Sequence, residues 1–300
     1  MKKERFSQFA LGLLLYTVVV ILWGAWVRIS HSGDGCGDTW PLCHGQLIPE
    51  AEQGKTWVEF SHRITSGIYG IAALFFYLFA RKLYALGNST RRFAGWSLFF
   101  TITEAALGAK LVIFGLVASN DTAFRALVMA LHQVNSLLLT AAVALTWLSA
   151  CYDKPYVISK KSWPALLFIL IATTGAWAAL AGTLFPSESL WSGLQADFAE
   201  GAHFLLRLRV LHPLSAILIG GALIAKFWLH SQKSTVNPQQ ARVSQQTALG
   251  LLVAIAFGAS TLLALSPTWM KVSHLALTHF VWVLLWRWLY SESSAEPAKR

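Results

Sequence analysis

Eight long apolar stretches run through this 300-residue chain and limit what it can fold into. Each can cross the hydrocarbon core of a membrane, which is about 30 Å thick and takes roughly 20 helical residues. Only 13% of the residues are charged, whereas soluble domains carry roughly 25%. No small-residue cleavage site follows the first stretch, so we expect it to be a retained anchor. The pattern predicts an all-α membrane protein with eight transmembrane helices, at about 6–27, 58–80, 94–117, 125–149, 163–185, 204–229, 246–265 and 269–290.

The positive charge is concentrated in alternate connecting segments. A net charge of +10 would suit a nucleic-acid-binding protein if the basic side chains formed one patch. Instead, most of them fall on one side when the N-terminus is placed in the cytoplasm, as the positive-inside rule describes. We therefore expect a multi-pass protein of the inner or plasma membrane, with both termini cytoplasmic and no nucleic-acid partner. These residues are Lys2, Lys3, Arg5, Arg81, Lys82, Arg91, Arg92, Lys154, Lys160, Lys161, Lys226, Lys233, Arg242, Arg287, Lys299 and Arg300.

The chain divides into two halves with the same plan. A basic loop at 150–162 separates the first four predicted spans from the last four. A histidine stands in the second span of each half, at His62 and His212, and in the fourth span of each half, at His132 and His274. We expect two pseudo-repeated four-helix bundles, over residues 1–152 and 153–300.

These four histidines lie at similar depths, about one or two turns below the outer end of each helix. An ionisable side chain within a span indicates a functional site, because burying it without a partner is costly. Imidazole is a common axial ligand of haem iron, and four-helix bundles often hold cofactors between their helices. Small residues also line ordinary helix contacts, but their recurrence at i+4 from all four histidines favours a paired-histidine haem site in each half. They are Ser66, Ser136, Ala216 and Thr278.

His279 competes with His274 for the last ligand position. It is five residues further along the helix, rotated by roughly 140°, and Val283 rather than a small residue follows at i+4. We therefore assign the ligand role to His274. We expect His279 to be a buried histidine bonded to a neighbouring helix.

The first outer segment contains two of the three cysteines, Cys36 and Cys43. It faces an oxidising compartment in the expected topology, so a disulfide is the simplest interpretation. The pair could be structural or could exchange with a thiol.

Glu59 precedes His62 by three residues, and two interpretations stay open for it. It could form a salt bridge to Arg63 at i+4, or place a carboxylate over the haem site for proton transfer or for engaging a carbocation.

Three arginines, Arg28, Arg207 and Arg209, lie at outer helix ends near the depth of the paired histidines. Guanidinium groups suit carboxylates, and haem carries two propionates. The same side chains could equally anchor the helices at the membrane interface, so both roles stay open.

The sequence resembles the haem A synthase family. The best match comprises Gly24-Ala25-Trp26-Val27-Arg28, Trp40-Pro41-Leu42-Cys43-His44-Gly45 and Glu59-Phe60-Ser61-His62-Arg63. The later histidines follow the family's pattern of one in each even-numbered span. Three departures stand out. Glu104 and Lys110 lie in a stretch expected to be more uniformly apolar, the third outer segment at 186–203 has no cysteine pair, and Pro213 stands where an arginine would echo the second span.

The resemblance implies an enzyme that hydroxylates the C8 methyl of haem O twice, after which loss of water gives the formyl group of haem A. It implies partnership with the farnesyltransferase that makes haem O, an electron donor and a terminal oxidase; a homo-oligomer stays open. At the positions that match the family's motifs, it implies a substrate haem facing His62 and His132. It implies a haem B cofactor that is ligated by His212 and His274 and relays electrons. It also implies a catalytic Glu59 and a pair of loop cysteines, Cys36 and Cys43.

Two other functions stay open at this stage. A diheme membrane cytochrome that transfers electrons without modifying a haem would use the same histidine pairs. A transporter is also commonly built from two related halves, although the spans lack paired Gly/Pro breaks at mid-membrane and their polar residues cluster toward one face.

Overall fold

The computed structural model describes residues 2–50 and 53–293, and within them most of the chain is helical. These residues form no strand, only an isolated bridge between Cys43 and Gln46. The predicted all-α fold class is therefore confirmed. The helices are α1 Lys3–Ile29, α2 Gly54–Leu83, α3 Ser89–Ile113, α4 Ala123–Tyr152, α5 Trp163–Leu184, α6 Leu190–Phe198, α7 Phe204–Ser231, α8 Pro238–Leu263 and α9 Thr268–Ser293.

Side-chain caps fix the start of several helices. The side chain of Asn88 accepts a hydrogen bond from the Thr90 N–H before α3, and Thr122 caps α4 in the same way. Asn237 and Gln240 form a reciprocal capping box at the start of α8, followed by Pro238 at the first helical position. Such caps satisfy backbone N–H groups that have no partner inside the helix.

Seven helices, α1 to α5, α7 and α8, are long and apolar enough to cross a membrane. The eighth predicted span lies in α9, which is 26 residues long and therefore spans about 39 Å. It is not among the seven, so the prediction of eight spans is not confirmed. Polar residues such as Lys271, His274 and Arg287 lower its hydropathy. Much of α9 is covered by protein, because it packs against α8, α4 and α1.

Two groups of helices surround a shared centre. Helices α1 to α4 pack against one another, and α5, α7, α8 and α9 form a second bundle. Helix α4 joins them, since it also contacts α5 and α9. Trp282 of α9 donates a hydrogen bond from Nε1 to the carbonyl oxygen of Leu137 on α4 at 2.7 Å. The hydrophobic core is thus continuous between the halves, while the division at 152/153 and the internal repeat stay predictions.

The start of α1, the loop after α4 and the end of α9 meet at one end of the molecule. The Lys3 ammonium lies 3.4 Å from Oδ2 of Asp153, and the Tyr290 hydroxyl donates to the carbonyl oxygen of Lys154 at 2.9 Å. This arrangement agrees with the expected topology; the cytoplasmic assignment itself stays a prediction. The predicted inner residues Lys299 and Arg300 lie outside the described residues.

Candidate functional site: two pairs of histidines

Each of the four predicted ligand histidines faces a glycine on another helix, the long helix that precedes it in the chain. The pairs are Gly24 with His62, Gly108 with His132, Gly175 with His212 and Gly258 with His274, and a β-carbon added at these glycines would lie 3.1, 4.0, 3.0 and 2.8 Å from the nearest ring atom. Small residues let helices in a membrane approach closely. Three of the four distances are below an ordinary carbon contact of about 3.5 Å, so a larger residue would displace the ring.

His212 and His274 lie close together in the second bundle. Their ring centres are 6.3 Å apart and their planes are inclined at 66°. Two imidazoles on opposite sides of one metal ion, each with a metal–nitrogen bond of about 2 Å, have ring centres about 6 Å apart. The pair therefore fits a bis-histidine haem.

The ring of His212 is oriented by α5. Its Nδ1 lies 3.2 Å from the carbonyl oxygen of Ile171. A carbonyl can only accept, so Nδ1 carries the proton and Nε2 is left free to bind a metal. The Thr174 hydroxyl lies 2.9 Å from that of Ser215, one turn beyond His212, and ties the same segment to α5.

Helix α7 is irregular on both sides of His212. The histidine stands in the five-residue segment Leu211–Ser215, between a turn at Val210 and a π-helical turn at Ala216–Gly220. Pro213 contributes to this irregularity because it has no N–H to donate within the helix. Single π turns inside α-helices occur frequently at functional sites.

Glu59 lies one turn outward from His62 in the first bundle and is buried, with 3% of its surface exposed. Its Oε1 accepts hydrogen bonds from Nε and Nη2 of Arg63 at 3.2 and 2.5 Å. Its Oε2 accepts one from the Cys36 N–H at 2.8 Å. The salt bridge to Arg63 is therefore present, and it is buried rather than an exposed pair of little energetic value.

The first outer segment is fastened to this ion pair. Cys36 and Cys43 form the predicted disulfide, and both are fully buried. The Nη1 of Arg63 donates to the carbonyl oxygens of Thr39 and Leu42 at 2.7 and 2.6 Å. Burial shields the disulfide from attack by a thiol, which favours the structural role of the two left open.

His132 of the first bundle has an acidic neighbour that the spacing of the histidines does not predict. Oε1 of Glu104, on α3, lies 3.0 Å from its Nδ1, and the Ser136 hydroxyl donates to the same carboxylate oxygen. His62 lies within electrostatic range of both His132 and Glu104. A polar residue inside an otherwise apolar span was the signal that could have found Glu104.

The three outer arginines have different surroundings. Arg28 on α1 donates to the Thr183 hydroxyl on α5 at 3.3 Å, so it links the two bundles, while Arg207 is exposed. Arg209 holds the outer segment after α5: its Nε lies 2.5 Å from Oδ1 of Asp197. Burial raises the pKa of Asp197, and the adjacent guanidinium partly offsets this. This segment contains α6, a helix that the sequence reasoning did not predict.

His279 lies in the shared centre, fully buried. Its Nδ1 is 3.1 Å from the carbonyl oxygen of Leu275 on its own helix, rather than bonded to a neighbouring helix as we expected. Its electrostatic environment includes Glu104.

The fold and the site together define an all-helical membrane protein with paired histidines between the helices of two bundles. A comparison with protein families identifies the group more closely. The COX15-CtaA family model, described as cytochrome oxidase assembly protein, matches residues 7–286. The chain belongs to this family.

Curated relatives agree with that assignment. The chain is 34% identical to a heme A synthase of Shouchella clausii over 73% of this chain and 72% of the relative. It is 33% identical to a heme A synthase of Halalkalibacterium halodurans over 69% of this chain and 71% of the relative. It is 37% identical to a protoheme IX farnesyltransferase of Thermus thermophilus over 99% of this chain but 50% of the relative. The chain thus spans about half the length of that relative. The resemblance to the haem A synthase family is confirmed.

Proposed function

We propose that this chain is a haem A synthase, an oxidoreductase that converts the C8 methyl group of haem O into the formyl group of haem A. The conversion consists of two hydroxylations, each of which would consume one molecule of dioxygen and two electrons from a donor and release one water, followed by loss of water from the resulting gem-diol. The chain belongs to this family, and the observation that carries the proposal is that its two histidine pairs have different surroundings. One pair has the spacing of a bis-histidine electron carrier, whereas the other stands beside two carboxylates, Glu59 and Glu104.

The second bundle would hold haem B, with His212 and His274 as iron ligands. A haem ligated by two histidines supplies one-electron transfer, and its protein environment sets its potential. The contribution of this chain is to orient His212 through Ile171 and to leave room for both rings at Gly175 and Gly258.

The first bundle would hold the substrate haem between His62 and His132. We infer that Glu59 carries the proton that moves when the gem-diol loses water, because one hydroxyl must give up a proton while the other leaves as water. Arg63 and the Cys36 N–H hold this carboxylate in the folded protein. Arg28, Arg207 and Arg209 are proposed propionate contacts, with Arg209 already engaged by Asp197.

The partner proposal draws on the Thermus relatives. They bear the name of a farnesyltransferase, yet this chain matches only half of each and also covers most of the heme A synthases. We infer that the matching half is the synthase-like part and that a separate farnesyltransferase supplies haem O to this chain. An electron donor is also required.

The topology proposal is eight spans, with α9 as the last and both termini in the cytoplasm. Helix α9 need not be apolar all round, because α8, α4 and α1 cover much of it. Its first residues follow α8 closely, and its end lies near the loop after α4.

The function is tested by extracting the haems from the purified protein after expression with a source of haem O, with analysis by chromatography and mass spectrometry. Haem A or its hydroxylated precursor, together with haem B, is expected. Haem B alone, in spite of available haem O, would instead identify an electron-transfer cytochrome, which the spacing of His212 and His274 also suits. A sample without a Soret band would revive the transporter.

The role of Glu59 is tested with Glu59→Gln, which keeps the shape of the side chain and removes its charge. General acid–base catalysis contributes about 10²- to 10⁴-fold, so product formation should fall by at least about 100-fold while haem B stays bound. Glu50→Gln is the matched control, since Glu50 is an exposed acid of the same outer segment. Haem A production at the normal rate in Glu59→Gln would remove Glu59 from the mechanism.

A further inference from the structure

Glu104 is the centre of a polar cluster around His132. Besides the contact with Nδ1 of His132, its Oε1 accepts a hydrogen bond from the Ser136 hydroxyl. Its Oε2 accepts one from Nδ2 of Asn135 at 2.5 Å. An ionised carboxylate can only accept hydrogen bonds, and all three neighbours can donate. The cluster therefore suits a negatively charged Glu104.

Asn135 is itself held in the orientation that Glu104 needs. Its Oδ1 accepts a hydrogen bond from the Thr103 hydroxyl at 2.7 Å, and its Nδ2 also donates to the carbonyl oxygen of Phe100 at 2.9 Å. With the oxygen engaged by Thr103, the NH₂ group must face Glu104. The carboxylate is thus fixed by groups from both α3 and α4.

The other three proposed ligands lack such a partner among the described residues. His212 has the neutral carbonyl of Ile171 at its Nδ1. Among the described residues, the buried Nδ1 atoms of His62, His132 and His274 all lack a well-aligned hydrogen bond, but that of His132 has a carboxylate oxygen of Glu104 at 3.0 Å. A carboxylate oxygen at the Nδ1 atom therefore distinguishes His132 from the other three.

We propose that Glu104 is a positioning residue that makes His132 the firmly held, electron-rich ligand of the haem in the first bundle, and His62 the ligand that exchanges. A carboxylate at Nδ1 fixes the tautomer, directs Nε2 toward the metal and raises the basicity of the ring. A more basic ligand stabilises oxidised iron and so lowers its reduction potential. A reaction at the iron would need one free coordination position, and the less firmly held of the two histidines would be the one to leave it. This inference rests on the proposed function, since it assumes a haem between His62 and His132.

The test is a spectroelectrochemical titration of the full-length protein loaded with haem B in both halves. In the wild type we expect two one-electron steps. In Glu104→Gln, one midpoint should rise by an amount corresponding to about a tenfold change in the reduction equilibrium, or about 59 mV. Glu104→Asp, which keeps the charge, should leave that midpoint close to the wild-type value. Glu292→Gln is the matched control, because Glu292 pairs with His230, which has no proposed ligand role, at 3.2 Å.

Unchanged midpoints in a Glu104→Gln protein that retains both haems would overturn the inference, leaving Glu104 a purely structural role. If this variant fails to fold, Thr103→Val provides the second test, because it only releases the orientation of Asn135. A smaller rise of the same midpoint supports the inference, and no rise overturns it. If the wild type makes haem A but neither variant shifts the midpoint, this inference alone is contradicted. A wild type that binds no haem in the first bundle contradicts the proposed function as well.

Discussion

Gly175→Ala should weaken haem binding in the second bundle, because the added methyl group collides with a proposed iron ligand. A β-carbon at this position would lie 3.0 Å from Cε1 and 3.2 Å from Nδ1 of His212. The ring would have to retreat by about 0.5 Å to reach an ordinary contact of about 3.5 Å. Its bond to Ile171 resists that movement. Overpacking of this kind costs about 1–3 kcal/mol, so haem affinity should fall by roughly 5- to 150-fold.

Gly182→Ala provides the control, seven residues further along α5, where no atom lies within 4 Å of the added carbon. Replacing glycine by alanine inside a helix stabilises it by about 0.5–1 kcal/mol, so this variant should retain haem at least as well as the wild type. The assay compares the haem B content per purified chain and the rate of haem transfer to an excess of an apo-haem acceptor. Equal transfer rates for the two variants would refute the idea that Gly175 exists to accommodate His212.

Three further predictions follow from the same geometry. His212→Ala or His274→Ala should abolish the low-spin haem B spectrum, whereas His279→Gln should preserve it; an unchanged spectrum in the first two would contradict their assignment as ligands. Cys36→Ser should remove about 2.5 kcal/mol of loop-closure stabilisation and reduce haem A formation without affecting haem B, because the lost disulfide no longer holds the segment whose residue 36 N–H donates to Glu59. Chromatography of the extracted haems measures both, and full activity would contradict the link. Arg63→Gln leaves the Glu59 carboxylate buried without its charged partner and should lower the free energy of unfolding by about 3–5 kcal/mol, seen as a lower melting temperature in detergent. A decrease of less than about 1 kcal/mol would show that the pair is solvated.

Some predicted features were correct because they depend on residues that are close in sequence. The disulfide between Cys36 and Cys43 joins two cysteines of one short segment. The bridge from Glu59 to Arg63, one of the two alternatives that the spacing leaves open, joins positions i and i+4 of one helix. The eighth span is different. A count of apolar residues does not decide whether α9 crosses the membrane, because neighbouring helices cover its polar groups.

Other features of the site were not visible in the sequence. We looked for small residues one turn from each histidine, and the structure adds a glycine on another helix, such as Gly258 opposite His274. The sequence marks Glu104 only as a departure from an apolar stretch, although it contacts His132. The position of Arg209 suggests a propionate contact, whereas Asp197 holds it. All three contacts join residues of different helices.

The all-α membrane fold class, the family and the positions of the four histidines can all be read from the amino-acid sequence. Hydropathy and helical spacing are local properties, so they do not depend on the path of the chain in space. Which side chain lies opposite which is a property of the folded chain, because it depends on the rotation and offset of each helix against its neighbours. The difference between the two histidine pairs, a neutral carbonyl beside His212 and a carboxylate beside His132, arises at this level.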